Sequence, residues 1–228
     1  MIKYVKNSVL NFEESKDEYI LYDIPVFKLQ PFKHKIDLTS LLKKIESLIP
    51  YPLLSNVDII YVSDIEDFNK NQRSFNAMYA DGAIYLSPDQ DNKMDLLDDI
   101  VHEIAHSLEQ HDQEYIYGDL TLEEEFLSKR RALYHLINKP TLNRYFYDNP
   151  LYNHTFDNHL YHVLSYDYLR DLSAGLFYSP YAITSLREYW ANGFENYLLG
   201  DRMALRDISP ILYNKVEYLI NSAEEIKR

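Results

Sequence analysis

The sequence predicts an α+β fold, with a small mixed sheet packed against one long helix and a mostly helical C-terminal part. Three observations predict it. Every segment that reads as a strand lies before residue 90. Helical periodicity prevails after that point. The 228 residues, 46% of them hydrophobic and without repeat or obvious linker, suit one substantial core.

Residues 19–29, "YILYDIPVFKL", read as a strand with Pro25 at an edge or bulge. In "DLTSLLKKIESLI", Leu38, Leu41, Leu42, Ile45 and Leu48 recur at helical spacing, and "PYP" ends the helix. "VDIIYV" reads as a second strand. In "SFNAMYADGAIYLSP", two apolar runs flank Asp81-Gly82, a dipeptide suited to a tight hairpin turn. A helix from about Lys93 to Gln110 follows, with Leu97, Ile100, Val101, Ile104 and Leu108 on its inner face. "TLEEEFLSKRRALYHLINK" opens with Thr121 and Glu124 spaced as a capping box and ends before Pro140. "SLREYWANGFENYLLG" reads as a helix capped by Ser185 and Glu188 and closed by Gly200, and residues 209–226 form a last helix.

Composition narrows the chemistry. A net charge of −13 argues against a nucleic-acid partner, since phosphate binding needs clustered Lys and Arg. The chain has no cysteine, so any metal must be held by histidines and carboxylates. The N-terminus "MIKYVKNSVLNFEESKDE" lacks the apolar core of a signal peptide, and no segment reads as membrane-spanning. The expectation is a protein that is cytoplasmic as synthesised, with later release or incorporation into a particle left open.

Within "DDIVHEIAHSLEQHD", His102, Glu103 and His106 spell HExxH. Two histidines at i and i+4 present their imidazoles on one helical face, close enough to share a tetrahedral zinc. Glu103 lies about 100° around the helix, where it can act on a water as general base without ligating the metal. The alternative is a polar face that spells the motif by chance. The flanks favour the metal: Ile100, Val101, Ile104, Ala105, Ser107 and Leu108 are uncharged, as a core-packed helix requires, and Asp99 alone departs.

A third ligand defines the subclass. Asp112 stands where one class of these sites places its last ligand, but that arrangement needs a glycine to turn the chain, and Glu109 occupies that position. Glu188 is the better candidate, on a helix whose Leu186, Tyr189, Trp190, Phe194, Tyr197 and Leu198 face the core. Glu188, Asn192 and Glu195 form the opposite stripe. Spacing alone leaves Glu188 open between a ligand and a residue that caps a solvent-facing helix. "HTFDNHLYH", with His154, His159 and His162, lacks the carboxylates of a second metal site and reads as surface or cleft-wall histidines.

The segment "SPYAITSLREYWANGFENYL", taken with the HExxH helix, resembles the catalytic domain of anthrax lethal factor and its relatives, the Pro-Pro endopeptidases among them. The shared pattern is Tyr181, then Glu188 followed by Tyr189, Trp190, Ala191 and Phe194; "ISPILYNKVEYLI" is similar to the closing helix. The resemblance covers about residues 75–110 and 178–221. It implies a zincin-like fold of gluzincin type and one metallopeptidase domain over residues 1–228. Its parts would be an N-terminal strand and helix region (1–56), the sheet and HExxH helix (57–110), an insertion (111–175), and the third-ligand and closing helices (176–228). It further implies that His102, His106 and Glu188 bind Zn²⁺, that Glu103 is the general base and that Tyr181 stabilises the oxyanion. The strand Ala83, Ile84, Tyr85 and Leu86 would be the sheet edge on which an extended peptide lies. Two departures stand out: the 82 residues from His106 to Glu188 are longer than the pattern requires, and Asn192 stands where relatives carry a carboxylate that orients a zinc-bound histidine.

The expected activity is zinc-dependent hydrolysis of peptide bonds in a peptide or protein substrate. The alternatives are a structural or interaction component of a larger assembly, such as a phage particle or toxin complex, and a zinc hydrolase acting on a non-protein substrate. Intact Glu103 and Tyr181 weigh against a purely structural metal.

Overall fold

The structure is a computed structural model that describes residues 17–64, 76–137 and 141–226. The N-terminal stretch read for a signal peptide falls almost wholly outside the described residues, as does the helix stop at Pro140. Two compact units make up the chain: Met1–Leu108 with Ala223–Arg228, and Glu109–Ser222.

The first unit carries a five-stranded mixed sheet in the order β1-β2-β3-β5-β4. Strands β1 (Asp17–Leu21) and β2 (Ile24–Lys28) form an antiparallel hairpin, so the single strand expected over 19–29 is two. The chain reverses at Tyr22, whose φ of 56° is unusual for a bulky residue. Side-chain and backbone bonds hold it there: Tyr22 N donates to Glu46 Oε1, and its phenol donates to the carbonyls of Glu46 and Ile49. Pro25 is therefore in an interior strand, one residue before the parallel pairing of β2 with β3 begins at Val26↔Ile60.

Strands β3 (Ile59–Val62), β4 (Ala77–Ala80) and β5 (Ala83–Leu86) complete the sheet. Asp81 and Gly82 have φ of 50° and 81°, the doubly positive pattern of the type I′ turn that Asp-Gly predicts. Ala83–Leu86 is not the edge. β5 pairs in parallel with β3 and antiparallel with β4, and β4 is the outer strand among the described residues. Burial explains the order: Ile84 and Leu86 are fully buried, whereas every residue of β4 is half-exposed, so the more apolar strand takes the interior place.

One sheet face is apolar, with Val26, Ile60, Val62, Ile84 and Leu86 fully buried, and helices α1 (Leu38–Leu48) and α2 (Lys93–Leu108) pack with the sheet. Both helices bury the stripe their periodicity predicts, apart from Leu48 near the end of α1, and Asp37 caps α1 by accepting from Ser40 N. The other face carries Phe27, Tyr61 and Tyr85 stacked in register at 6.0 and 5.6 Å between ring centroids.

The second unit is helical: α3 (Gln113–Tyr117), α4 (Thr121–Leu136), α5 (His154–Asn158), a π-helical turn (His159–Leu164), α6 (Tyr166–Leu172), α7 (Leu186–Leu199), α8 (Arg202–Ile208) and α9 (Pro210–Ile226). Thr121 does not cap α4. Leu120 is the cap residue, with φ 60°, while Asp119 accepts from both the amide and the hydroxyl of Thr121. Gly200 closes α7 as expected but in an extended conformation, φ −101°.

Helix α7 is anchored from three sides. Tyr189 donates to Glu125 Oε1 on α4, and Glu125 also accepts the amides of Ile211 and Leu212 in the first turn of α9. Lys129 donates to the Tyr189 phenol, the Ile208 carbonyl and Ser209 Oγ. Burial pulls the Lys129 ammonium down to about 8 and pushes the Tyr189 phenol well up, with the Glu125 carboxylate adding to the latter. At Gly193, an added Cβ would run into the Leu212 side chain of α9. Gly193→Ala should therefore lower stability by about 1–3 kcal/mol despite the better helix propensity of alanine, read as a shift in the chemical denaturation midpoint.

Candidate metal centre

Asn92 stands just before helix α2, and its Oδ1 accepts from the amides of Met94 and Asp95. The buried stripe of α2 fixes which way the helix faces, and the i, i+4 spacing sets His102 and His106 one turn apart, with ring centroids 5.0 Å apart and planes at 78°. His106 is buried and His102 half-buried. Glu103 is only 8% exposed, and its Oε2 accepts from the Tyr79 amide of β4 at 2.7 Å. Asp99, the charged residue in the flank, accepts from the amide of buried Gln90.

Glu188 stands in the first turn of α7, where its backbone amide donates to Ser185 Oγ at 3.2 Å. The cap is thus made by serine oxygen and the glutamate's own N–H, and not by its carboxylate. The solvent-facing alternative for its stripe does not hold: Asn192 is 7% exposed, and Glu188 and Glu195 are half-buried.

His102, His106 and Glu188 form a group that can hold a metal ion, each offering one ligand atom, all within 4.8 Å of one another. Ligands about 2.0–2.1 Å from a tetrahedral zinc lie about 3.3 Å apart. Two imidazoles and a carboxylate also suit other divalent metals of the first transition row, so the donor set fits zinc without singling it out.

The remaining sequence candidates fall as follows. Asp112 is outside that group and accompanies His111, with Oδ1 3.3 Å from its Nδ1. Glu109, in the position where a glycine would be needed, pairs with Arg187 and accepts from the Tyr117 phenol. Burial, then the Glu109 charge, raises that phenol far above its usual range. Tyr181 opens a 3₁₀ turn (Tyr181–Ile183), and its carbonyl accepts from both the amide and the hydroxyl of Thr184. Asn192 accepts from Asn196 Nδ2 through its backbone carbonyl. His159 is buried, which lowers its pKa, so it is not a surface histidine; with His154 and His162 it forms no metal-holding group among the described residues. Sequence reasoning missed Tyr79, Asn56 and Arg187, and named Glu109 only as standing where a glycine would be needed. Of these, Arg187 alone carried a signal, a charge next to Glu188.

No family model, no curated protein and no solved structure matches this chain. Among the described residues, no helix is long and apolar enough to cross a membrane.

Proposed function

We propose that this protein is a zinc-dependent endopeptidase with a zincin-like fold, acting on peptide or protein substrates. The observation that carries the proposal is the convergence of His102, His106 and Glu188 on one potential ion position, with Glu103 buried on the same helix as the two histidines. Those three residues would hold the metal. When bound, zinc supplies Lewis acidity, ionising water near neutral pH and polarising a carbonyl. Glu103 takes a proton from the attacking water and passes it to the leaving amine. The extended substrate is assigned to β4, which stands at one end of the sheet, rather than to Ala83–Leu86, which lies inside it.

Incubating the zinc-supplemented protein with a diverse peptide library tests the proposal. New termini, absent when the metal is chelated, are expected by mass spectrometry; an intact library and intact candidate proteins would end the endopeptidase reading.

Tyr181 is proposed as the donor to the oxyanion. Tyr181→Phe should lower kcat by about 10²–10³ with KM little changed, because the bond forms mainly to charge that develops in the transition state. An unchanged kcat, or a fall that follows a lowered melting temperature, removes Tyr181 from the mechanism.

A further inference from the structure

We infer that Tyr79 is a positioning residue whose backbone amide aims Glu103, an inference that rests on the endopeptidase proposal. Three hydrogen bonds tie β4 to α2, reaching Glu103 within the HExxH turn directly and Ser107 just after it through Asn56. Tyr79 N donates to Glu103 Oε2 at 2.7 Å. The Tyr79 phenol donates to the Asn56 carbonyl at 2.9 Å, and Asn56 Nδ2 donates to the carbonyl of Ser107 at 3.1 Å. One residue of the outer strand thus grips the carboxylate directly and the helix end through Asn56.

Strand geometry makes the first of these bonds separable from the sheet. The two-residue turn makes Ala80↔Ala83 a hydrogen-bonded pair, and Ser87 N donates to the Asn76 carbonyl at the far end of the same ladder. Alternation then directs the Tyr79 N–H away from β5, so that it serves Glu103 and contributes nothing to the β4–β5 ladder. A carboxylate with one oxygen on a backbone amide keeps a fixed direction for the other, which is what a proton acceptor at short range needs. The phenol end is held by its hydrogen bond to the Asn56 carbonyl; burial also raises its pKa above the usual value, although a backbone hydrogen bond from Gly82 pulls the other way. The structure gives Tyr79 a job that its side chain alone does not reveal.

The test separates the amide from the side chain. Tyr79→Ala keeps the N–H and loses the phenol; Tyr79→Pro loses both, at a position where proline removes no ladder bond. Relative to Tyr79→Ala, Tyr79→Pro should lower kcat a further tenfold to about 10²-fold, with KM within about twofold and zinc content unchanged. A structural role alone would move both variants' melting temperatures and leave their kcat values alike. An independent measurement needs no substrate: amide hydrogen exchange at Tyr79 should accelerate at least tenfold in Glu103→Ala, while neighbouring β4–β5 amides keep their protection. Should the protein prove to cleave nothing, crystal structures still decide the inference, since Glu103 must keep its direction in Tyr79→Ala and lose it in Tyr79→Pro. Equal kcat in the two variants, unchanged exchange at Tyr79, or an unmoved Glu103 carboxylate in Tyr79→Pro would overturn it.

Discussion

Glu103→Ala should keep its zinc and lose about 10²–10⁴-fold in kcat/KM, with Glu103→Gln close behind it. The two variants remove the same chemistry at different structural cost. Glu103 is buried and outside the metal-holding group, so neither change deletes a ligand. Alanine strands the Tyr79 amide, which costs about 1–3 kcal/mol if the N–H finds no water. Glutamine preserves volume and offers an oxygen to that amide, so its melting temperature should match the wild type. What glutamine cannot do is accept a proton at neutral pH. Paired measurements of metal content, melting temperature and steady-state kinetics therefore isolate the proton-transfer role. A Glu103→Gln enzyme within about threefold of wild-type kcat would show that another group takes the proton, and the proposed mechanism would fall.

The parts of this fold that were legible in the sequence are those where a local rule meets no competitor. The buried stripe of α2 follows from periodicity, and the stripe of α1 does so up to Ile45. The Asp81-Gly82 turn follows from the two positive φ values that few other residue pairs tolerate. The failures share a cause of the opposite kind, where a partner distant in sequence decides. Tyr22 turns the chain because Glu46 and Ile49 receive its bonds, and nothing near Tyr22 announces them. Leu120 takes a left-handed conformation and displaces the Thr121 cap. Strand order is non-local in the same way: the hairpin was visible, but which of its arms pairs with β3 depends on burial across the sheet, and that placed Ala83–Leu86 inside. At the site, spacing located the two histidines, whereas Glu188 depended on an 82-residue separation that periodicity cannot bridge. The positioning contact of Tyr79 with Glu103 runs through its backbone amide, which every residue but proline possesses, so no sequence pattern could mark it.

Glu188→Ala should bind zinc far more weakly than wild type, while Asp112→Ala should bind within about twofold of it. Losing a partner that only orients a ligand typically costs 10–100-fold in affinity, so loss of a ligand itself should exceed that range. The helix that carries Glu188 should survive the change, because its cap is a bond from the residue-188 backbone amide to Ser185 Oγ, and alanine keeps that amide. The Tyr189–Glu125–Lys129 anchor lies on the next residue and is likewise untouched. A metal-free Glu188→Ala protein should therefore melt near metal-free wild type. The difference should emerge only when zinc is added. At a free zinc concentration 100 times the wild-type Kd, binding stabilises the native state by about 2.7 kcal/mol, and a variant with a 100-fold higher Kd gains only about 0.4 kcal/mol. Asp112 has no such leverage, since its carboxylate accompanies His111 at the start of α3 and lies outside the His102, His106 and Glu188 group. Zinc titration followed by melting temperature, with elemental analysis of the dialysed proteins, reads both variants on one scale. If Asp112→Ala loses the zinc-dependent stabilisation and Glu188→Ala keeps it, the third ligand is Asp112, and the assignment of α7 as the ligand helix is wrong.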